Sequence, residues 1–352
     1  MLEVYAGNTA LRNIQENGFK AGLFTSFLGA SGGPKWFTLF GLDKYIFGQF
    51  FKELEQHLNL IGSSAGAFRA ACFAQNDPVA AIERLAIRYA NTTYSDKPTP
   101  SEITEKGRHL LDYVLGENGT TEIINNPIFK AHFIVAKSNG LVASEAKALQ
   151  LLGLAGSYLK NRISRPLLNK QYERFVFQPQ DSNFSFNDPD NFPTTVMPFS
   201  EQNIKDALLA SGSIPMVMEG IKNISGCPDG MYRDGGIIDY HFDLGIKNEG
   251  LTLYPHFSAM LKPGWFDKGL SRNVRAEHYE NTVLLCPSKA FIESLPYKKI
   301  PDRTDFTEMS SEQRIKYWYQ VLEQSNDLAQ AFEQFIVHQK IDEIKNINVL
   351  TQ

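Results

Sequence analysis

Two stretches of the chain read Gly-x-Ser-x-Gly: GSSAG from Gly62 to Gly66, and GASGG from Gly29 to Gly33. A serine at a bend from strand into helix has its hydroxyl lifted above the sheet edge, where it can attack an acyl carbon. The flanking residues must be small because the bend leaves no room for side chains. The motif alone does not choose between Ser64 and Ser31, but the surroundings favour Ser64. It is followed by Ala65, Gly66, Ala67, Ala70 and Ala71, whereas Ser31 leads into Pro34, Lys35, Trp36 and Phe37. The competing reading of Ser64 is a simple helix N-cap. A third candidate is Asp234 in YRDGGIIDY, a carboxylate before two glycines, which also reads as an ordinary Asp-Gly turn. The stretch FLGASGGPKW looks at first like a phosphate-binding loop. It lacks the parts, since Pro34 has no N–H to donate and Trp36 stands where a magnesium-binding Ser or Thr is needed. No nucleotide is expected there.

The elements that must position these groups follow from apolar runs and turn residues. Gly22 to Leu28 reads as a buried strand and Pro34 to Leu54 as a long helix. Leu58 to Ile61 reads as a second strand and Ala65 to Gln75 as an alanine-rich helix. Strand, glycine turn and helix thus occur twice in succession, which is βαβα logic and predicts a mostly parallel sheet covered on both faces. Further on, Pro78 to about Gly116 is expected to be helical with a break at Pro98 and Pro100. Lys130–Ala136 and Arg174–Phe177 are expected strands, with a helix from Ser144 to Leu159 between them. Residues 179–199 carry Asn, Asp, Pro and Phe without period and are expected to form a long loop that serves as a lid or wall. Asn203 to Ala210 reads as helix, Leu251–Phe257 and Val283–Cys286 as late strands, and Ser311 to about Val337 as an amphipathic helical tail.

Bulk properties narrow the function classes. The chain has 352 residues, 43% hydrophobic and 12% aromatic, enough apolar material for a large core. A net charge of -4 gives no global basic surface and argues against a nucleic-acid partner. Cys72, Cys227 and Cys286 are odd in number and far apart, which suggests neither a disulfide framework nor a zinc spacing and fits a reducing compartment. No charged segment followed by an apolar one marks a signal peptide, and no apolar run is long enough to span a bilayer. A cytoplasmic or membrane-peripheral location is expected.

In their order along the chain, these pieces resemble the patatin-like phospholipase family. SGGPKWFTLFG (Ser31 to Gly41) is similar to its glycine-rich loop and helix, and LIGSSAGAFRAACFA (Leu60 to Ala74) to its nucleophile elbow. ALLASGSIPMVMEGI (Ala207 to Ile221) is similar to the segment preceding its Asp-Gly-Gly, which here begins at Asp234. The sequence departs from the pattern at Ser31, the first of three positions that are glycine in the family, and at Trp36, where a glycine usually stands.

The resemblance covers residues 20 to about 245 and implies a three-layer α/β/α fold with a mostly parallel central sheet. One domain over residues 1–352 is expected, with the motifs in a core of about 20–300 and a helical C-terminal segment of about 305–352. The resemblance also implies a serine lipid acyl hydrolase of phospholipase A or lysophospholipase type. Ser64 would be the nucleophile and Asp234 its base, with Gly62 and Gly66 shaping the elbow. Gly32 and Gly33, with Ser31 as a third candidate, would form the oxyanion hole. No metal or cofactor is implied. The partner would be a lipid acyl ester at a membrane or micelle surface, and an activating protein is a further class of partner left open.

Two other readings stand beside this one. A conventional Ser-Asp-His hydrolase would use Ser64, Asp234 and His256 or His278, although neither these nor His241 carries a distinguishing local signal. A catalytically silent lipid-binding module would keep the fold without turnover. Lys35 or Arg69 could face a phosphate, and Trp265 with Phe266 could anchor at a membrane interface beside Lys262 and Lys268. The apolar set Trp36, Phe37, Leu39, Phe40, Ile46 and Phe47 reads as helix core, with an acyl tunnel as the alternative.

Overall fold

The computed structural model describes residues 1–247 and 249–351. Its strands in chain order are β1 (Leu2–Ala6), β2 (Phe24–Gly29), β3 (Leu58–Ser63), β4 (Phe129–Ser138) and β5 (Tyr172–Gln178). The short β6 (Ser185–Asn187), β7 (Thr194–Pro198), β8 (Ile221–Lys222) and β9 (Met231–Asp234) follow. The last are β10 (Gly245–Lys247), β11 (Leu251–Pro255), β12 (Thr282–Pro287) and β13 (Lys345–Asn346). The main sheet runs β13-β1-β12-β11-β2-β3-β4-β5-β7, with β9 and β8 attached to β4.

The middle of this sheet, from β12 through β11, β2 and β3 to β4, is parallel throughout. Antiparallel neighbours occur where β1 meets β12 and where β5 and β9 meet β4. Helices cover both faces, so the predicted α/β/α arrangement with a mostly parallel sheet holds. Its strands are apolar on both sides, as burial on both faces requires. Phe27, Leu60 and Phe133 point into one core cluster, while their chain neighbours Leu28, Ile61 and Ile134 point into the other. This is the period-two alternation of a pleated strand.

Several boundaries differ from expectation. The stretch expected as one helix from Pro34 changes pitch, running as 3-10 helix over Gly33–Leu39, α-helix over Phe40–Tyr45 and π-helix over Ile46–Phe50. Its aromatic and aliphatic set is buried core, not a tunnel wall. Residues 179–199 are not a structureless loop, because they hold β6, which pairs with β10, and β7, which extends the main sheet beside β5. Asp188 and Asp190 in this segment pair with the buried Arg174 and Arg165, which pins it down as a wall and leaves no free lid. The N-terminal strand and the helix Asn8–Asn17 went unread. Short elements of this kind owe their pairing to partners near the other end of the chain, since β1 lies between β12 and β13.

The C-terminal segment is built into the fold. Its helices Ser311–Gln324 and Asn326–Val337 pack on the helical layer, Trp318 meets Phe37 edge-on at 5.2 Å, and the Ser325 hydroxyl accepts the Gly41 N–H at 2.8 Å. Among the described residues no helix is long and apolar enough to cross a membrane.

Candidate active site

β3 and β9 approach each other end to end along one edge of β4. β3 stops with Ser63 opposite Ile134, and β9 arrives from the other direction with Asp234 opposite the next residue, Val135. Whatever follows Ser63 must therefore meet Asp234. The residue that follows is Ser64, whose Oγ donates to Asp234 Oδ2 at 2.8 Å.

The elbow holding Ser64 is tight and strained. Ser64 has φ 53° and ψ -126°, a left-handed conformation that costs a side-chain-bearing residue about 1–3 kcal/mol and persists only under surrounding constraint. Part of the constraint is close packing: a Cβ on Gly66 would lie 1.7 Å from the Gly29 carbonyl oxygen, and one on Gly62 would lie 2.3 Å from the Gly66 carbonyl carbon. Both elbow glycines are therefore required, and Gly29 is the surface they press against. Below the elbow, Arg69 of the helix Ala65–Phe73 grips Asp43 with two hydrogen bonds of 2.8 and 2.6 Å, both side chains being fully buried. Arg69 thus anchors the elbow helix and faces no ligand, contrary to one expectation.

Asp234 is buried at 6% exposure. Its Oδ1 accepts the Gly236 N–H at 2.7 Å, and its backbone N–H donates to the Ser213 carbonyl at 3.1 Å. Burial raises its pKa from 3.8 to about 6, against the lowering influence of the bonds from Ser64 and Gly236 and of the Arg303 and Lys268 charges. A carboxylate so placed is a better proton acceptor near neutral pH than an ordinary aspartate.

The glycine loop faces the same cleft, which encloses about 320 Å³ with its open mouth and is lined by Ser31, Gly32, Gly33, Ser64 and Asp234 among others. Among the described residues no acceptor takes the backbone N–H of Gly32 or Gly33. Gly33 has φ 56°, available to glycine without strain, and a Cβ on Gly32 would strike the Phe257 ring at 2.7 Å. Ser31 is different. Its N–H is taken by the Tyr240 carbonyl at 3.1 Å and its hydroxyl lies 2.7 Å from Ser63 Oγ, so it braces the loop and has no backbone donor to spare. The same contact sets Ser31 aside as a rival nucleophile.

The candidate histidines lie elsewhere. His241 Nδ1 accepts the Lys262 N–H, His256 Nδ1 is engaged with Ser258, and His278 Nδ1 pairs with Asp243, so none is bonded to Ser64 or Asp234. Burial drives His256 down to about 3 and His241 well below the usual imidazole range, so both are neutral. The loop at Trp265 is also unlike an anchor. Phe266 is buried, Trp265 lines the cleft, and Lys262 clips the loop by donating to the carbonyls of Leu270 and Arg272. Lys35 forms an ion pair with Asp302 at 2.7 Å.

Residues 48–241 match the family model described as Patatin-like phospholipase, over more than half of the chain. The chain belongs to the patatin-like phospholipase family. It therefore carries the domain of a family of lipid acyl hydrolases. The match spans both Ser64 and Asp234 and begins downstream of the glycine loop. No curated protein matches the chain.

Two residues of this patatin-like site escaped sequence reasoning. Ser211 accepts the Ser64 N–H and donates to the Ile134 carbonyl; its signal lay in the ALLASGSIP segment, read only as a family motif. Arg303 lines the cleft from the C-terminal part of the chain, with its Cγ 3.1 Å from where a Gly33 Cβ would stand. Its Nη1 is buried and has no hydrogen-bond partner among the described residues. Nothing in KKIPDRTDF marks it, since only the fold brings it to the cleft. Among the described residues no cluster of His, Cys, Asp or Glu could hold a metal ion.

Proposed function

We propose that this patatin-like protein hydrolyses carboxylic esters of phospholipids or lysophospholipids through an acyl-enzyme on Ser64. The observation that carries the proposal is the 2.8 Å hydrogen bond from Ser64 Oγ to Asp234 Oδ2, both of which line one cleft. Asp234 takes the Ser64 proton as the oxygen attacks the ester carbonyl. The carbonyl oxygen gains negative charge, which the Gly32 and Gly33 N–H groups stabilise, a role favoured by their place in the cleft lining and by the lack of any acceptor for them among the described residues. As the intermediate collapses, Asp234 returns the proton to the departing alcohol, leaving the acyl group on Ser64. Water then attacks the acyl-enzyme, giving up a proton to Asp234; the bond between Ser64 Oγ and the acyl carbon breaks, Asp234 returns that proton to Oγ, and the fatty acid leaves with Ser64 and the carboxylate regenerated. Arg303 adds a cation beside the reacting group, suited to the phosphate of a lipid head group.

Labelling the purified protein with a fluorophosphonate and mapping the modified peptide tests this. Modification is expected at Ser64 and is expected to vanish in Asp234→Ala. Modification at Ser31 would reverse the assignment of the two motifs, and a folded protein that binds lipid vesicles yet is neither labelled nor active on any acyl ester would be a silent module.

A further inference from the structure

The helix Lys147–Ile163 is inside out. Its inward face carries the polar residues Gln150, Ser157 and Asn161, all buried, while its outward face carries leucines. Leu151, Leu152, Leu159 and Ile163 are 57%, 61%, 60% and 79% exposed, and Leu149 and Tyr158 are exposed beside them. At 100° per residue, Leu152, Leu159 and Ile163 share one face, with Leu149 and Leu151 at its two edges. A contiguous exposed apolar face of this kind marks an interaction site.

Charge indicates what covers it. From Ala146 to Tyr172 there is no Asp or Glu, whereas Lys147, Lys160, Arg162 and Lys170 lie within or just beyond the helix. A leucine face flanked by cations complements an anionic lipid surface, where apolar side chains enter the acyl boundary and lysines meet head groups.

The buried polar face connects this helix to the cleft. Gln150 Oε1 accepts the Met216 N–H at 2.7 Å, immediately after Ile214 and Pro215 of the cleft wall. Asn161 donates to Asp267 Oδ1 at 2.7 Å, two residues beyond Trp265 of the opposite wall. Just past the helix, Arg165 pairs with the same Asp267 and donates to the Ile238 carbonyl, next to Ile237 of the lining. The polar side chains that would make an ordinary helix soluble are here used to hold the walls of the site, so the leucines are left outside.

We infer that the helix Lys147–Ile163 is an in-plane docking surface that seats the protein on anionic bilayers with its cleft wall at the lipid. The inference rests on the lipid-hydrolase reading for its purpose, though docking can be measured without turnover. Its length, about 25 Å, and its cations suit a helix lying in the interface.

The test is co-sedimentation of the full chain with vesicles of phosphatidylcholine plus phosphatidylserine, and with phosphatidylcholine alone. Wild type is expected to bind the mixed vesicles more tightly and to release at high salt. The variant L152Q/L159Q/I163Q is expected to lose binding about tenfold or more, while hydrolysis of a water-soluble short-chain ester is retained. Lys160→Glu with Arg162→Glu is expected to weaken binding only to the mixed vesicles. Unchanged binding in the leucine variant, or no binding by wild type, overturns the inference. So does a wild-type dimer that falls apart in the leucine variant, since the face would then join two copies of the chain. Vesicle binding that depends on the leucines, in a protein that hydrolyses no ester, would sink the catalytic reading and leave the docking surface standing.

Discussion

The backbone N–H of Ser64 donates to the Ser211 hydroxyl at 3.0 Å, and the same hydroxyl donates to the Ile134 carbonyl at 2.7 Å. Ile134 faces the last residue of β3 and precedes the residue that faces Asp234. Ser211 therefore clamps the strained elbow to the strand that sets the distance between Ser64 and Asp234.

Ser211→Ala leaves a buried donor and a buried acceptor without their partner, which costs about 1–3 kcal/mol. Stability is expected to fall by that amount in denaturant titration, and kcat is expected to fall because Ser64 loses its fixed position. A variant with unchanged kcat would show that the elbow is held by packing alone.

On the proposed mechanism, the acid limb of kcat/KM is expected to belong to Asp234. The carboxylate must be ionised to accept the Ser64 proton, so activity on a monomeric ester should be full well above pH 6 and should decline as pH falls through about 6. The neutral state of His241 and His256 means that neither supplies this limb. His278→Ala, which alters a side chain bound to Asp243, is expected to leave the limb in place; its disappearance in that variant would restore a histidine to the mechanism.

Arg303 pulls the Asp234 pKa down through its charge. Arg303→Gln is expected to move the acid limb to higher pH and to raise KM for phosphate-bearing esters more than for neutral ones. A pH profile coincident with that of wild type, with equal KM changes for both substrate classes, would place Arg303 outside the working part of the cleft.

Burying an ionised Asp234 costs stability. Its folded-state pKa of about 6 stands above the unfolded value of about 3.9, so the native state binds the proton more tightly. This group's contribution favours the native state most when it is protonated, at low pH, and is lost as pH rises from about 4 through 6. The rise from 3.8 to about 6 corresponds to a cost of about 3 kcal/mol at neutral pH. Asp234→Asn, nearly isosteric and neutral, is expected to lose activity and to gain up to that much stability at pH 8, with the gain vanishing below about pH 4. Equal stability at both pH values would mean that the carboxylate is better solvated than its burial implies.

Arg69 and Asp43 form a fully buried ion pair beneath the elbow. Asp43→Ala strands the guanidinium and is expected to cost about 3–5 kcal/mol, whereas replacing both with apolar residues of similar volume is expected to recover most of it. Thermal unfolding of the single and double variants measures the difference.

The amino-acid sequence by itself determined the local chemistry. The small residues Gly62, Gly66 and Ala67 mark an elbow because a tight strand-to-helix bend admits nothing larger. The repeated strand, glycine turn and helix imply parallel pairing because each crossover needs a helix. Ser64, Asp234 and the glycine loop stood out as candidates because each sits in a short motif whose residue types are forced by backbone geometry, and the fold brings them to one cleft. The tertiary structure decided what depends on contacts between distant parts of the chain. Ser31 was exchanged from donor to brace by the Tyr240 carbonyl, over 200 residues away. Arg303 entered the cleft from a segment with no motif, and Arg69 turned inward because Asp43 waits for it in another helix. The leucines of Lys147–Ile163 face outward because Gln150 and Asn161 found buried partners at Met216 and Asp267. Apolar periodicity tells which residues share a helix face, but which face turns inward is settled by the partners the fold supplies.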